Sequence, residues 1–159
     1  NSAAREHFTN PAKILADRIV GCDVALVGDC AATLALARHG SAMMLRVGRT
    51  AVASAGLADA VSALRDQAAS GSADIFHDDQ IDGPAADRLR VLALTLAAER
   101  TVVAARTSGL DDVDLVAAAD VPVAPGESGE LTPGRIEQQL AVLAVRLEMA
   151  AAYVRILRG

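Results

Sequence analysis

Apolar positions fall along this chain in two alternating patterns, short continuous runs and stripes at helical spacing. Val24 to Val27 is an unbroken aliphatic run with Gly28-Asp29 behind it, which predicts a strand buried on both faces. Arg90-Val-Leu-Ala-Leu-Thr95 and Val113-Asp-Leu-Val116 predict two more strands, and Ala51-Val-Ala-Ser54 a shorter one. A helix is expected from Asn10-Pro11, where Asn caps and Pro fits the first turn, with Ile14, Leu15 and Ile19 on its apolar side and Gly21 at its end. A long helix follows Gly28-Asp29, with Leu34, Arg38, Ser41 and Leu45 on one line and Leu36, Met43 and Val47 on another. Glycine costs about 1 kcal/mol inside a helix, so Gly40 leaves open a break there with 42–47 as a strand. Residues 58–68 read as a helix with Leu57, Val61 and Leu64 on one side, and 99–106 as another.

The terminal helix carries the most pattern. Leu131-Thr132-Pro133 supplies an apolar residue, a cap and a proline at the first helical position. The helix is expected to run on to Arg158, roughly 39 Å at 1.5 Å per residue. Ile136, Leu140, Leu143, Leu147 and Val154 form one apolar stripe, and Val142, Val145, Met149, Tyr153 and Ile156 a second on the opposite side, with Glu137, Glu148 and Arg155 between them. A helix on the surface of a domain needs one apolar face. Two faces predict two neighbours: the sheet, and either a second copy of the chain or a further domain. Strands alternating with helices predict an α/β three-layer sandwich with a small parallel sheet of four or five strands.

Composition narrows the class. With 159 residues, 52% of them hydrophobic, the chain is expected to be one globular domain, 1–159. No apolar run reaches the roughly 18–20 residues that span a bilayer, and the first residues do not read as a secretory leader. The net charge is −5, with the charges scattered rather than blocked, and only Phe8, Phe76 and Tyr153 are aromatic. Neither a nucleic-acid footprint nor a base-stacking platform is expected from that. Cys22 and Cys30 bracket the first strand, which places their Cα atoms roughly 20 Å apart, beyond the disulfide limit of about 7 Å. Free thiols suit a cytoplasmic location. His7, His39 and His77 show no metal-ligand spacing, and neither metal nor cofactor is expected. The chain opens Asn1-Ser2-Ala3 rather than with Met, and is read as part of a longer protein.

Candidate chemistry concentrates in Asp74-Ile-Phe-His77-Asp78-Asp79-Gln-Ile-Asp82-Gly83, where one imidazole and four carboxylates gather between apolar elements. Carboxylates beside an imidazole favour its protonated form, which suits moving protons to and from hydroxyls. His39, in an otherwise apolar helical pattern, reads as a packing residue. Gly28-Asp29-Cys30-Ala-Ala-Thr33 lies past the C-terminal end of a strand, where a doubly wound sheet binds its ligand. The glycine fingerprint of a dinucleotide is absent and Asp29 would repel a phosphate, so NAD is not expected and Asp29 is read first as a helix cap. Thr95-Leu-Ala-Ala-Glu99-Arg100-Thr101 follows the second strong strand and offers hydroxyls and one cation to an anion. Gly28, Asp29, Thr95 and Arg100 are therefore the ligand-binding candidates.

The order of elements, together with Asn10-Pro-Ala-Lys13 to Val27-Gly28, the loop His77-Asp-Asp-Gln-Ile81-Asp-Gly83 and the ending Leu157-Arg158-Gly159, resembles a sugar isomerase (SIS) domain. More narrowly, it resembles the C-terminal half of bifunctional phosphoglucose/phosphomannose isomerases and their actinobacterial, TobH-like relatives. The resemblance implies a doubly wound, flavodoxin-like sheet, a sugar phosphate as ligand and an aldose-ketose isomerase activity. It also implies a second SIS half, which, like a second copy of the chain, would be a neighbour for the second apolar face of the terminal helix. The His77 role it implies is sugar ring opening. The family's carboxylate base would fall in Leu45-Arg46-Val47-Gly48-Arg49, which has no carboxylate, and its Ser/Thr-rich phosphate loop belongs to the other half. Two consequences follow. Either Asp78 or Asp79 replaces the base in a site completed by a partner half, or the domain is a non-catalytic sugar-phosphate-binding or dimerisation unit.

Overall fold

The computed structural model describes residues 10–71, 88–118 and 135–159. Among them are five helices and four strands in the order α1 (Pro11–Ile19), β1 (Asp23–Gly28), α2 (Ala31–Met43), β2 (Ala53–Gly56), α3 (Leu57–Gly71), β3 (Leu89–Thr95), α4 (Arg100–Arg106), β4 (Val113–Ala117) and α5 (Ile136–Arg158). The strands form one sheet in the order β2-β1-β3-β4, and every pairing is parallel. Consecutive parallel strands need crossovers, and the helices supply them on both faces. Val24 and Leu26 of β1 with Leu92 and Leu94 of β3 face α1, α2 and α5. Ala25 and Val27 with Val91 and Ala93 face α3 and α4. A strand alternates its side chains, and with both sides covered, both sets are apolar. That is why these strands read as continuous runs.

α1 begins as its sequence dictates: the Asn10 side chain accepts from the amides of Ala12 and Lys13, at 3.0 and 3.4 Å, ahead of Pro11. α2 passes straight through Gly40, so no break or strand forms at 42–47. Its buried residues are Thr33, Leu36, Ala37 and Gly40, while Leu45 is exposed. A Cβ at Gly40 would lie 2.7 Å from Leu26 Cδ1 and 3.1 Å from Leu147 Cδ1. Glycine is there because α2 is wedged between β1 and α5. The helix then widens into a π-helical turn, Met44–Gly48, closed by Arg49 in the left-handed region at φ 52°.

β2 lies two residues later than the expected 51–54. The Ser41 hydroxyl donates to the Val52 carbonyl at 2.5 Å, so α2 takes that carbonyl and sheet pairing starts only at Ala53. α5 packs against both α1 and α2. Its buried line is Gln139, Leu143, Leu147, Ala150, Ala151 and Val154. Ile136, placed by its spacing on one stripe with Leu143, Leu147 and Val154, is 55% exposed. The expected start at Leu131–Pro133 lies outside the described residues; the first described turn is closed by the Arg135 amide donating to Gln138 Oε1 at 3.1 Å. Among the described residues no helix is long and apolar enough to cross a membrane.

Candidate functional site

In a parallel sheet with helices on both faces, ligands bind past the C-terminal strand ends, where the strand order reverses. Here that point is the crevice between β1 and β3, because α2 leaves β1 on one face while α4 leaves β3 toward the other. Gly28, the last residue of β1, pairs with Leu94, so Thr95 sits one residue further along β3. Gly28 is required by α2: a Cβ there would run into the backbone of Thr33 and Leu34 in the first helical turn. The helix therefore folds back directly over the strand end.

Asp29 does not cap α2. The capping is done by Cys30 and Thr33: the Cys30 amide donates to Thr33 Oγ1 at 3.2 Å, and the Thr33 hydroxyl donates to the Cys30 carbonyl at 3.3 Å. Both thiols are free, Cys22 exposed and Cys30 half-buried. Asp29 instead pairs with Arg106 at the end of α4, with Arg106 Nη1 2.5 Å from Asp29 Oδ1. The pairing answers the expectation that Asp29 would repel a phosphate, because its charge is balanced inside the crevice. It also adds a cation that the sequence pattern did not single out.

On the β3 side, Thr95 is fully buried and Glu99 half-buried, and Thr95 Oγ1 and Glu99 Oε2 have no hydrogen-bond partner among the described residues. Thr95 alternates with Val91 and Ala93, so it lies on the α3/α4 face. The turn between β3 and α4 is held tightly. The amides of Glu99 and Arg100 both donate to the Leu96 carbonyl, at 3.0 and 3.1 Å. The Ala97 amide donates to Gln139 Oε1 at 2.8 Å. Those three amides are occupied, so this turn does not offer them to an anion. Arg100 is exposed in the first turn of α4. Gln139, a buried polar residue on the apolar line of α5, was missed by the sequence reading. The signal was its place four residues before Leu143 on that line.

The structure thus brings Gly28, Asp29 and Thr95 to the adjoining C-terminal ends of β1 and β3 and adds Arg106, with Arg100 at the start of the following helix. His77, Asp78 and Asp79 lie outside the described residues. His39 is not a packing residue: it is exposed, with Nε2 3.1 Å from Glu148 Oε1. Two cavities open elsewhere. One, about 130 Å³, lies between α1, β4 and α5 and is lined by Ile14, Arg18, Leu115 and Arg146 among others. The other, about 230 Å³, lies at the opposite end of the sheet, between Gly21, Cys22, Arg88, Arg90 and Asp112. Neither is lined by Gly28, Asp29, Thr95 or Arg100. Physical position in the fold, not cavity size, singles out the β1/β3 crevice. Among the described residues no three His, Cys, Asp or Glu side chains gather closely enough to hold a metal ion.

The fold defines an α/β protein with a small all-parallel sheet whose topological switch point lies between β1 and β3. Compared with known protein families, with curated proteins and with solved structures, the chain matches none.

Proposed function

We propose that this chain is an SIS-type domain of flavodoxin-like architecture that takes a sugar phosphate in the β1/β3 crevice. In this reading it is the C-terminal half of a cytoplasmic, two-domain phosphoglucose/phosphomannose isomerase-like protein. The observation that carries the proposal is the all-parallel β2-β1-β3-β4 order, with Gly28, Asp29 and Thr95 at the reversal point. The Asp29–Arg106 pair supports it, since an arginine at the crevice supplies charge for a phosphate while the carboxylate accepts from sugar hydroxyls. Thr95, buried beside the strand end, carries a hydroxyl that no described residue engages.

Isomerisation between C2 and C1 needs one group to move the ring-opening proton and a carboxylate to carry a proton between the two carbons. In this reading His77 does the first. The second cannot come from 45–49. In a parallel crossover α2 runs antiparallel to β1, so its far end lies about 20 Å down the helix from Gly28. The base is then Asp78, Asp79 or a residue of the other half. If none serves, the domain binds sugar phosphate without turning it over, and the half-furnished crevice favours this as the second reading.

Thermal melts of the full chain test the proposal with glucose-6-phosphate, mannose-6-phosphate, inorganic phosphate and glucose as separate probes. A sugar phosphate at ten times its Kd is expected to raise Tm by roughly 3–6 °C, and Arg106→Ala to weaken that rise. No shift with either sugar phosphate overturns the binding proposal. A shift without isomerase turnover, or turnover unchanged in His77→Ala, removes the catalytic part and leaves the binding part.

A further inference from the structure

The outward side of α5 carries a seam that nothing in the described chain covers. Val142, Val145, Met149, Ala152 and Ile156 recur at alternating spacings of three and four residues, the repeat of a coiled-coil core. Val142 is half-buried and Ala152 exposed. Val145 is 54%, Met149 42% and Ile156 71% exposed. The opposite line of the same helix, with Leu143, Leu147 and Val154 fully buried, is taken by the domain's own core. The seam is about 21 Å long at 1.5 Å per residue.

From this geometry we infer that α5 pairs with α5 of a second copy, antiparallel, about a two-fold axis between Ala150 and Ala151. In that register Val145 packs on Ile156 of the partner subunit, and Met149 on Ala152 of the partner subunit. The charges beside the seam select both the occupant and the direction. Glu148 and Arg155 precede Met149 and Ile156 on the same flank of the seam, the flank facing α2, where Glu148 already meets His39. In an antiparallel pair like flanks face each other, so Glu148 of each copy meets Arg155 of the partner subunit, giving two equivalent ion pairs. A parallel pair would set Glu148 against the opposite flank, which holds Arg146 and Tyr153, and the self-complementary pairing would be lost. A surface that is its own complement is what a two-fold dimer requires. The inference does not depend on the ligand of the β1/β3 crevice.

Sedimentation velocity of the full chain from about 1 to about 100 µM tests it. The expected result is a reversible monomer–dimer equilibrium. Glu148→Arg alone and Arg155→Glu alone should each weaken it about tenfold, and the double swap should bring it back toward the starting affinity. Met149→Glu should abolish the dimer. Because these side chains are exposed, an unchanged melting curve identifies folded variants. A chain that stays monomeric throughout the range overturns the inference. So does a dimer that ignores both single swaps, or one that the double swap fails to restore.

Discussion

The two helical layers on this sheet are built differently. On one face α1, α2 and α5 share a core in which Leu143, Leu147, Ala150, Ala151 and Val154 lose all contact with water, and glycine lets α2 approach both the sheet and α5. On the other face α3 contributes Leu57, Ala60, Val61 and Leu64, while α4, only seven residues long, buries Val103 alone. The crevice candidates divide between the layers: Gly28 lies under the first turn of α2, while Thr95 lies on the thinner face and Asp29 pairs with Arg106 at the end of α4. Groups that receive a ligand sit where local opening costs least, and the close-packed side supplies the frame.

Four substitutions probe this contrast, the largest expected effect first. Leu147→Ala removes a fully buried side chain from the crowded layer and should cost about 2–5 kcal/mol, against about 1.5 kcal/mol for Val103→Ala in the other layer; urea denaturation of the two variants measures the difference, and equal losses would erase the distinction. Gly40→Ala should destabilise by about 1–3 kcal/mol through overpacking, even though alanine is the better helix former by about 1 kcal/mol. A stabilised variant in thermal melts would mean that α2 does not press on Leu26 and Leu147. Arg106→Ala should change stability by less than about 1 kcal/mol, because its side chain is more than half exposed. The same variant should weaken any sugar-phosphate shift, which separates a ligand role from a structural one.

Strands and layers were legible in the sequence because both patterns are local. Continuous aliphatic runs mark strands covered on two sides, and the Asn-Pro start of α1 carries its own capping chemistry. What escaped was non-local. Asp29 and Arg106 are 77 residues apart, and Gln139 and Ala97 are 42 apart; no spacing rule connects them. Gly40 was ambiguous for a related reason. In isolation it weakens a helix, and only the closeness of Leu26 and Leu147 gives it a purpose. The line of α5 that faces the core was partly misread because small residues, Ala150 and Ala151, do the packing where larger apolar ones were sought. The acidic segment that drew most attention, with His77, Asp78 and Asp79, lies outside the described residues, so the crevice rests on Gly28, Asp29, Thr95 and Arg106.

The place of α5 between α1 and α2 has a consequence for how the chain acquires its shape. Of the described helices, the one that locks the layer comes last along the chain, and it joins α1, more than a hundred residues upstream. Until it emerges, Leu26, Leu92 and Leu94 have only part of their cover. Closing such distant contacts is slow, and an apolar sheet face left open meanwhile invites association with other chains. Nascent chains stalled before residue 136 should therefore be recognised by chaperones, and release should coincide with the docking of this final helix.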